Sequence, residues 1–455
     1  MIWSVYNARM KIPRGPTLPV VWVIILLLSI IGANATKQSL AEAALPSPAV
    51  ADYRSDEVIV RLRPGASLSS LQPYALGYAL RLHANLKPLN ALLLKVPPGR
   101  VEAVVQVLSR APAVIFAEPN YLVHAAVITP SDPAWPNQYG PVQIQAPQAW
   151  TITTGTSAVA IAVIDTGVDL NHPDLADKIW NNPDEIPSNG VDDDNDGYVD
   201  DWRGWDFVNG DNDPQDDYGH GTHVAGIAAA ASNNAVGIAG IAWGARLMPL
   251  KILDSRGDGA NSDLALAMRW AADHGAQVIN LSLGDPPPDP LMEEAVDYAV
   301  AHGAVVIAAA GNSGHSGVLY PGAYANAIAV AATDASNYVA SFSSVGPQVD
   351  VAAPGVSIYS TYWSATSGST YNTLSGTSMA TPHVAGVAAL LAALPQFNTP
   401  AKIRAALEST TLLLTSCHNP QTGFGLVQAY AALQFDLSAP PRACYLHFLP
   451  LVQLW

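Results

Sequence analysis

Short, mainly apolar runs recur along the chain at 158–164, 277–283, 304–309 and 327–332. Runs of this length without polar alternation suit strands buried on both faces of a parallel sheet. Helical stretches at 262–274 and 290–302, with glycine-rich turns, lie between them. The pattern predicts an α/β domain over 129–435, with a doubly wound, mostly parallel sheet. Its ligand cleft is expected at the carboxyl ends of the strands.

The region before it, 36–128, reads differently. It opens with Leu45-Pro46-Ser47-Pro48, and Glu57 to Leu62 then alternates polar and apolar like a half-buried strand. A second strand is expected at 91–96. A helix is expected over 100–108, where Val101, Val104, Val105 and Leu108 share a face. A further strand at 114–120 is expected to stop at Pro119. Together these predict a small α+β unit.

The first 35 residues read as an export signal. Arg9, Lys11 and Arg14 precede an apolar run at 20–31, followed by Ala33-Asn34-Ala35, a small-x-small cleavage pattern. The run falls short of the ~20 residues that span a bilayer comfortably, although an uncleaved anchor stays open. The last segment, 436–455, holds Pro440-Pro441 and an apolar end, and carries no readable role.

Composition narrows the function classes. With 455 residues, 49% of them apolar and 13% charged, the chain is globular and has room for a large core plus an accessory unit. A net charge of -16 without a basic stretch excludes nucleic acid as the expected partner. The only two cysteines, Cys417 and Cys444, form no C-x-x-C, which excludes a zinc ribbon or redox motif. In an exported protein they could pair and tie down the tail, or stay as two thiols.

Three segments carry candidate chemistry. Ala160-Ile161-Ala162-Val163-Ile164-Asp165-Thr166-Gly167 puts a carboxylate where a buried strand ends. Gly219-His220-Gly221-Thr222-His223 puts an imidazole at the start of an alanine-rich helix, and Gly376-Thr377-Ser378-Met379-Ala380 puts a hydroxyl at the start of another. A serine hydroxyl becomes a nucleophile when a neighbouring imidazole takes its proton. A carboxylate behind the imidazole fixes its tautomer, and a helix N-terminus supplies N–H groups to a developing oxyanion. His223 and His383 each follow one of these positions within its helix, and packing is their expected role. Met379, next to Ser378, is an expected site of damaging oxidation.

The three segments, in the order Asp, His, Ser, closely resemble the signature blocks of subtilisin-like serine proteases. Chymotrypsin-like enzymes run His, Asp, Ser, and Ala380 breaks the G-x-S-x-G elbow of α/β-hydrolases. A fourth segment, Ala308-Ala309-Ala310-Gly311-Asn312, resembles the family's oxyanion-hole block, which implies that the Asn312 amide is a donor. Ser282, Leu283 and Gly284 resemble the strand that pairs with substrate backbone. Ala309, Ala310 and Gly311 would then form the second wall of the primary pocket, with Leu319 near its floor making it shallow.

Gln138-Tyr139-Gly140-Pro141 and Ile144 to Trp150 resemble the thermitase-like branch, and 36–128 resembles the family's inhibitor-like propeptide. The resemblance implies a secreted zymogen that cuts itself at the junction, for which 121–129 is the candidate. It also implies a monomeric serine endopeptidase that acts on proteins or peptides, with its own propeptide as inhibitor and chaperone and no organic cofactor. An inactive binding protein on the same scaffold, or a calcium-dependent adhesive protein, would be the other readings.

Calcium enters twice. Asp192, Asp194, Asp196 and Asp200 lie in a D-x-D-x-D-G loop with oxygen-ligand spacing and a glycine, Gly197, at the turn. Position twelve is Arg203, so this is no EF-hand, and a solvated acidic insert is the alternative. The family resemblance implies a second, structural Ca2+ at Asp132, Asp174 and Asn234.

Overall fold

The computed structural model describes residues 53–121, 127–284, 287–314, 317–415 and 418–438. The expected signal, Cys417, Cys444, 122–126 of the candidate junction and the tail from 439 lie outside the described residues. The chain divides into two compact units, one up to His124 and one from Ala125.

The first unit is a four-stranded antiparallel sheet of β1 (Tyr53–Leu62), β2 (Arg81–Leu86), β3 (Ala91–Lys95) and β4 (Val114–Tyr121), in the order β2-β3-β1-β4. Val58 and Val60 of β1 point into its core, as the alternation predicts. Helices α1 (Gln72–Tyr78) and α2 (Val101–Leu108) accompany the sheet, and α2 lays Val101, Val104 and Leu108 into the same core. β4 runs through Pro119, where the sequence predicts a stop. It is an edge strand with a neighbour on one side only, and such a strand tolerates a residue without an N–H. β2 escapes the pattern because it lies mostly exposed at the other edge.

The second unit is built on seven parallel strands: β5 (Ala160–Asp165), β6 (Trp205–Asp206), β7 (Arg246–Lys251), β8 (Val278–Leu281), β9 (Val305–Ala309), β10 (Ala327–Thr333) and β11 (Val349–Pro354). Their order is β11-β10-β9-β8-β5-β7-β6. Within β5, Ile161 and Val163 face one core while Ala160, Ala162 and Ile164 face another. Burial on both sides explains why these runs lack alternation. Helices α3 (His220–Ala229) and α6 (Thr377–Ala392) build the first core; α4 (Asn261–Asp273) and α5 (Pro290–Ala301) build the second. β7 interrupts its apolar run with Pro249 and so is not legible as a strand, but it lies near the edge beside the two-residue β6. A hairpin of β12 (Ile358–Ser364) and β13 (Gly368–Leu374) packs beside α3.

β5, first in the chain order of this sheet, sits between β7 and β8, where the direction of strand addition reverses. Its carboxyl end is therefore a topological switch point, the usual place for a cleft in such sheets. Among the described residues, no helix is long and apolar enough to cross a membrane.

Candidate active site

Asp165 ends β5 and is fully buried. Its Oδ1 accepts hydrogen bonds from the Thr166 N–H at 2.8 Å and from His220 Nδ1 at 2.7 Å. A proton held on Nδ1 leaves Nε2 with its lone pair, the form a general base needs. Gly219, at φ 103°, makes the left-handed turn that delivers His220 to the first position of α3. Burial pulls the imidazole pKa down, but the charge and hydrogen bond of Asp165, with Asp216 behind, hold it above its ordinary value.

Asp216 is a part of this arrangement that the sequence reading missed. Its Oδ1 accepts from Thr166 Oγ1, Tyr218 N and Gly219 N, and its Oδ2 from the N–H and Oγ1 of Thr222. It thereby ties the residue after Asp165 to the turn that carries His220. Buried Lys251 holds the same residue from the other side, donating to Thr166 O at 2.9 Å, Leu253 O at 2.7 Å and Asp217 at 2.7 Å. In sequence, Asp216 looks like an ordinary turn former, and nothing local reveals that Thr166, 50 residues earlier, is among its partners.

Ser378 lies half-buried in the first turn of α6. Pro382 stands four residues later inside that helix and has no N–H to give to the Ser378 carbonyl. Ser282 Oγ fills the gap at 2.8 Å, and itself accepts from Asn280 Nδ2 at 2.9 Å. Asn312 follows β9, and its Oδ1 accepts from the N–H and Oγ1 of Thr377 at 2.9 and 3.1 Å. Its Nδ2 is thus left to donate elsewhere. That Nδ2 and the Ser378 N lie 3.5 and 3.6 Å from the point a Cβ on Gly376 would occupy, so both donors flank one small space.

A cleft of about 440 Å3 is lined by His220, by Ser282, Leu283 and Gly284, and by the Gly257–Asp258–Gly259 turn opposite. Ala309, Ala310 and Gly311 continue buried from the end of β9. Leu319 bonds through its N–H to Ala310 O at 3.0 Å and packs close to Gly311 and Gly284, between the two expected walls.

His223 and His383 are both buried in packed surroundings, the role expected of them. Burial pushes His223 down to about 3 and His383 to about 4, while His223 Nε2 meets the Ile358 and Asn372 carbonyls and His383 Nδ1 that of Met379. Met379 is only 2% exposed.

The expected cation residues fall in two places. Asp132 accepts from the N–H groups of Asn233 and Asn234, and Asp174 interacts with the Asn234 side chain, which brings these residues to one corner. Asp174 Oδ2 accepts from Ile238 N and Tyr371 OH, while its buried Oδ1 has no partner. An orphaned, buried carboxylate oxygen fits a hard cation. In the acidic insert, Asp194 and Asp196 come together with His274. Asp192 spends its oxygens on the N–H groups of Asp196 and Gly197, and Asp200 on those of Asn189 and Gly190, so neither joins that cluster. Glu185 and Asp201, which the motif does not include, do approach Asp194.

Comparison with known proteins finds matches over most of the chain. A family model described as Subtilase family matches residues 156–430, and one described as Fervidolysin N-terminal prodomain matches 39–120. The chain is 48% identical over 308 residues to thermitase of Thermoactinomyces vulgaris, covering 68% of this chain and 100% of that one. It is 46% identical over 338 residues to a thermophilic serine proteinase of Bacillus sp. (strain AK1), covering 74% and 77% respectively. A solved protease structure from Pseudoalteromonas arctica aligns at 31% identity with a TM-score of 0.59, covering 68% of this chain and 99% of that one.

Proposed function

The chain belongs to the subtilase family of serine endopeptidases, and on that footing we propose that its reaction runs through Ser378, His220 and Asp165. Ser378 Oγ attacks the peptide carbonyl while His220 Nε2 takes its proton and passes it to the leaving amine. Asp165 holds the imidazole in that tautomer and stabilises the imidazolium. Asn312 Nδ2 and the Ser378 N–H hold the oxyanion, and water then cleaves the acyl-enzyme. The observation that carries this reading is the 2.7 Å bond between His220 Nδ1 and Asp165 Oδ1 at the carboxyl end of β5, beside an open cleft.

The substrate chain would lie as an added strand between Ser282–Leu283–Gly284 and Ala309–Ala310–Gly311, with Leu319 keeping the primary pocket shallow. Residues 36–128 serve as an inhibitory propeptide removed by self-cleavage within 121–129, leaving 129–435 as the active domain with 436–455 as a tail. The zymogen is exported by its first 35 residues and works as a monomer. Structural calcium is proposed at Asp132, Asp174 and Asn234, supported by the orphaned Asp174 oxygen, and in the acidic loop.

Expression without 1–35, as wild type and as Ser378→Ala, followed by size and casein cleavage in calcium, tests the reading. Wild type alone should lose a fragment of about the size of 36–128 and then cleave casein. A folded wild type that stays inert after trypsin has removed the fragment would sink it.

A further inference from the structure

Tyr218 stands two residues before His220 and lines the same cleft, yet the proposed acyl transfer does not use its side chain. Its main chain is held on both sides. The N–H donates to Asp216 Oδ1 at 3.0 Å, and the carbonyl accepts from Tyr362 OH at 3.3 Å. The side chain therefore leaves the His220 turn from a fixed point. Its Cζ and Cε1 lie 3.6 and 3.8 Å from the point a Cβ on Gly257 would occupy, which is van der Waals distance. The phenol ring thus rests against the Gly257–Asp258–Gly259 turn and joins it to the turn that carries His220. Being 45% exposed, Tyr218 leaves part of its surface for whatever enters the cleft.

Ile252 and Leu253 also line this cleft, and the Leu253 carbonyl accepts from buried Lys251 at 2.7 Å, so that side is fixed as well. Successive side chains of an extended substrate point to opposite faces. The residue that carries the cut carbonyl sends its side chain between Ser282–Gly284 and Ala309–Gly311. The residue before it then faces away from that pocket, toward His220, Leu253 and Tyr218. We propose that Tyr218 is a specificity-determining residue, whose ring selects a small side chain at this second position before the bond. A large side chain there has to push the ring off Gly257 or rise out of the cleft, and either lifts the scissile carbonyl away from Ser378. Alanine or glycine leaves the ring in place. The selection is steric, so it belongs to the ring and not to the phenol hydroxyl. It bears on the chain's own junction too. Within 121–128, Ala125 and Ala126 are the small residues, and a cut with either in the second position exposes Val127 or Ile128.

This inference rests on the proposed acyl transfer at Ser378, and one experiment separates the two. Processed wild type, Tyr218→Ala and Tyr218→Phe are labelled with a fluorophosphonate and assayed on two peptides. The peptides differ only in alanine or phenylalanine at the second position before the cut. Wild type and Tyr218→Phe should favour the alanine peptide in kcat/KM by about tenfold or more. Tyr218→Ala should lose most of that preference by gaining on the phenylalanine peptide. Should Tyr218→Ala not mature, Tyr218→Ser is read in its place. Sequencing of the matured wild type should begin at Val127 or Ile128. Wild type that is labelled at Ser378 but cleaves both peptides equally, or favours phenylalanine, overturns the selection and keeps the site. A preference undiminished in Tyr218→Ala overturns the role of Tyr218, and so does a self-cleaved bond with a large residue in the second position. Wild type that takes no label and cleaves neither peptide overturns both readings.

Discussion

Ser282 Oγ donates a 2.8 Å hydrogen bond to the main-chain oxygen of Ser378. The acceptor needs it, because Pro382 has taken away the N–H that would complete the helix ladder there. One buried chain of polar groups, from Asn280 through Ser282, therefore joins the end of β8 to the first turn of α6. Ser282→Ala leaves a carbonyl without its partner beside the proposed nucleophile. Urea unfolding should show a loss of about 1–3 kcal/mol, with kcat reduced more than KM. Unchanged stability would show that the bond contributes nothing.

Asn312 presents Nδ2 because its Oδ1 is occupied by Thr377. Asn312→Ala should lower kcat about 100- to 1000-fold, as removing one oxyanion donor does, with little change in KM. Peptide-substrate kinetics on the processed enzyme would read this directly, and a KM effect alone would place Asn312 in binding instead.

The pH profile should carry the mark of two carboxylates. Neutral His220 is the active form, and Asp165 and Asp216 raise its pKa against the pull of burial. The acid limb of kcat/KM therefore lies above the ordinary imidazole value. Asp216→Asn removes one of the raising charges and should move that limb to lower pH. It should also destabilise the fold, since the carboxylate accepts from five donors. An unshifted limb in a folded variant would contradict the electrostatic link.

Chelation should lower the melting temperature, and added calcium should restore it. At a calcium concentration 100 times the dissociation constant, one site contributes about 2.7 kcal/mol. Asp174→Asn, at the corner with Asp132 and Asn234, should remove that site's share of the response. If the calcium response of Asp174→Asn equals that of wild type, the ion is bound elsewhere.

Peroxide should inactivate the enzyme through Met379. Its sulfur lies 3.7 Å from the point a Gly376 Cβ would occupy, so a sulfoxide oxygen would intrude beside Ser378. Full activity after oxidation, with the sulfoxide seen by mass spectrometry, would refute this.

Much of this molecule was legible because burial on both faces leaves its mark on sequence. The β5, β9 and β10 runs are apolar up to their last residue and β8 is broken only by Asn280, and Asp165, His220 and Ser378 each sit where an element ends or begins. β7 was hidden by Pro249 and β2 by its exposure, since the pattern records burial and not pairing. Asp216, Lys251, Glu185 and Asp201 were hidden for another reason. Lys251 and Asp201 find partners in segments distant in the chain and Asp216 reaches back to Thr166, while a charged residue in a loop looks the same in sequence whether solvated or enclosed.

The parallel sheet carries a consequence for lifetime. Each of its strand pairings joins segments linked by a crossover, so no part of it can peel away as a local hairpin. A cleaving enzyme needs an extended stretch of its victim, and no pair of adjacent strands in this sheet can supply one by opening as a local hairpin. Endurance among active copies of itself is then governed by how slowly the chain unfolds, more than by the depth of its equilibrium stability.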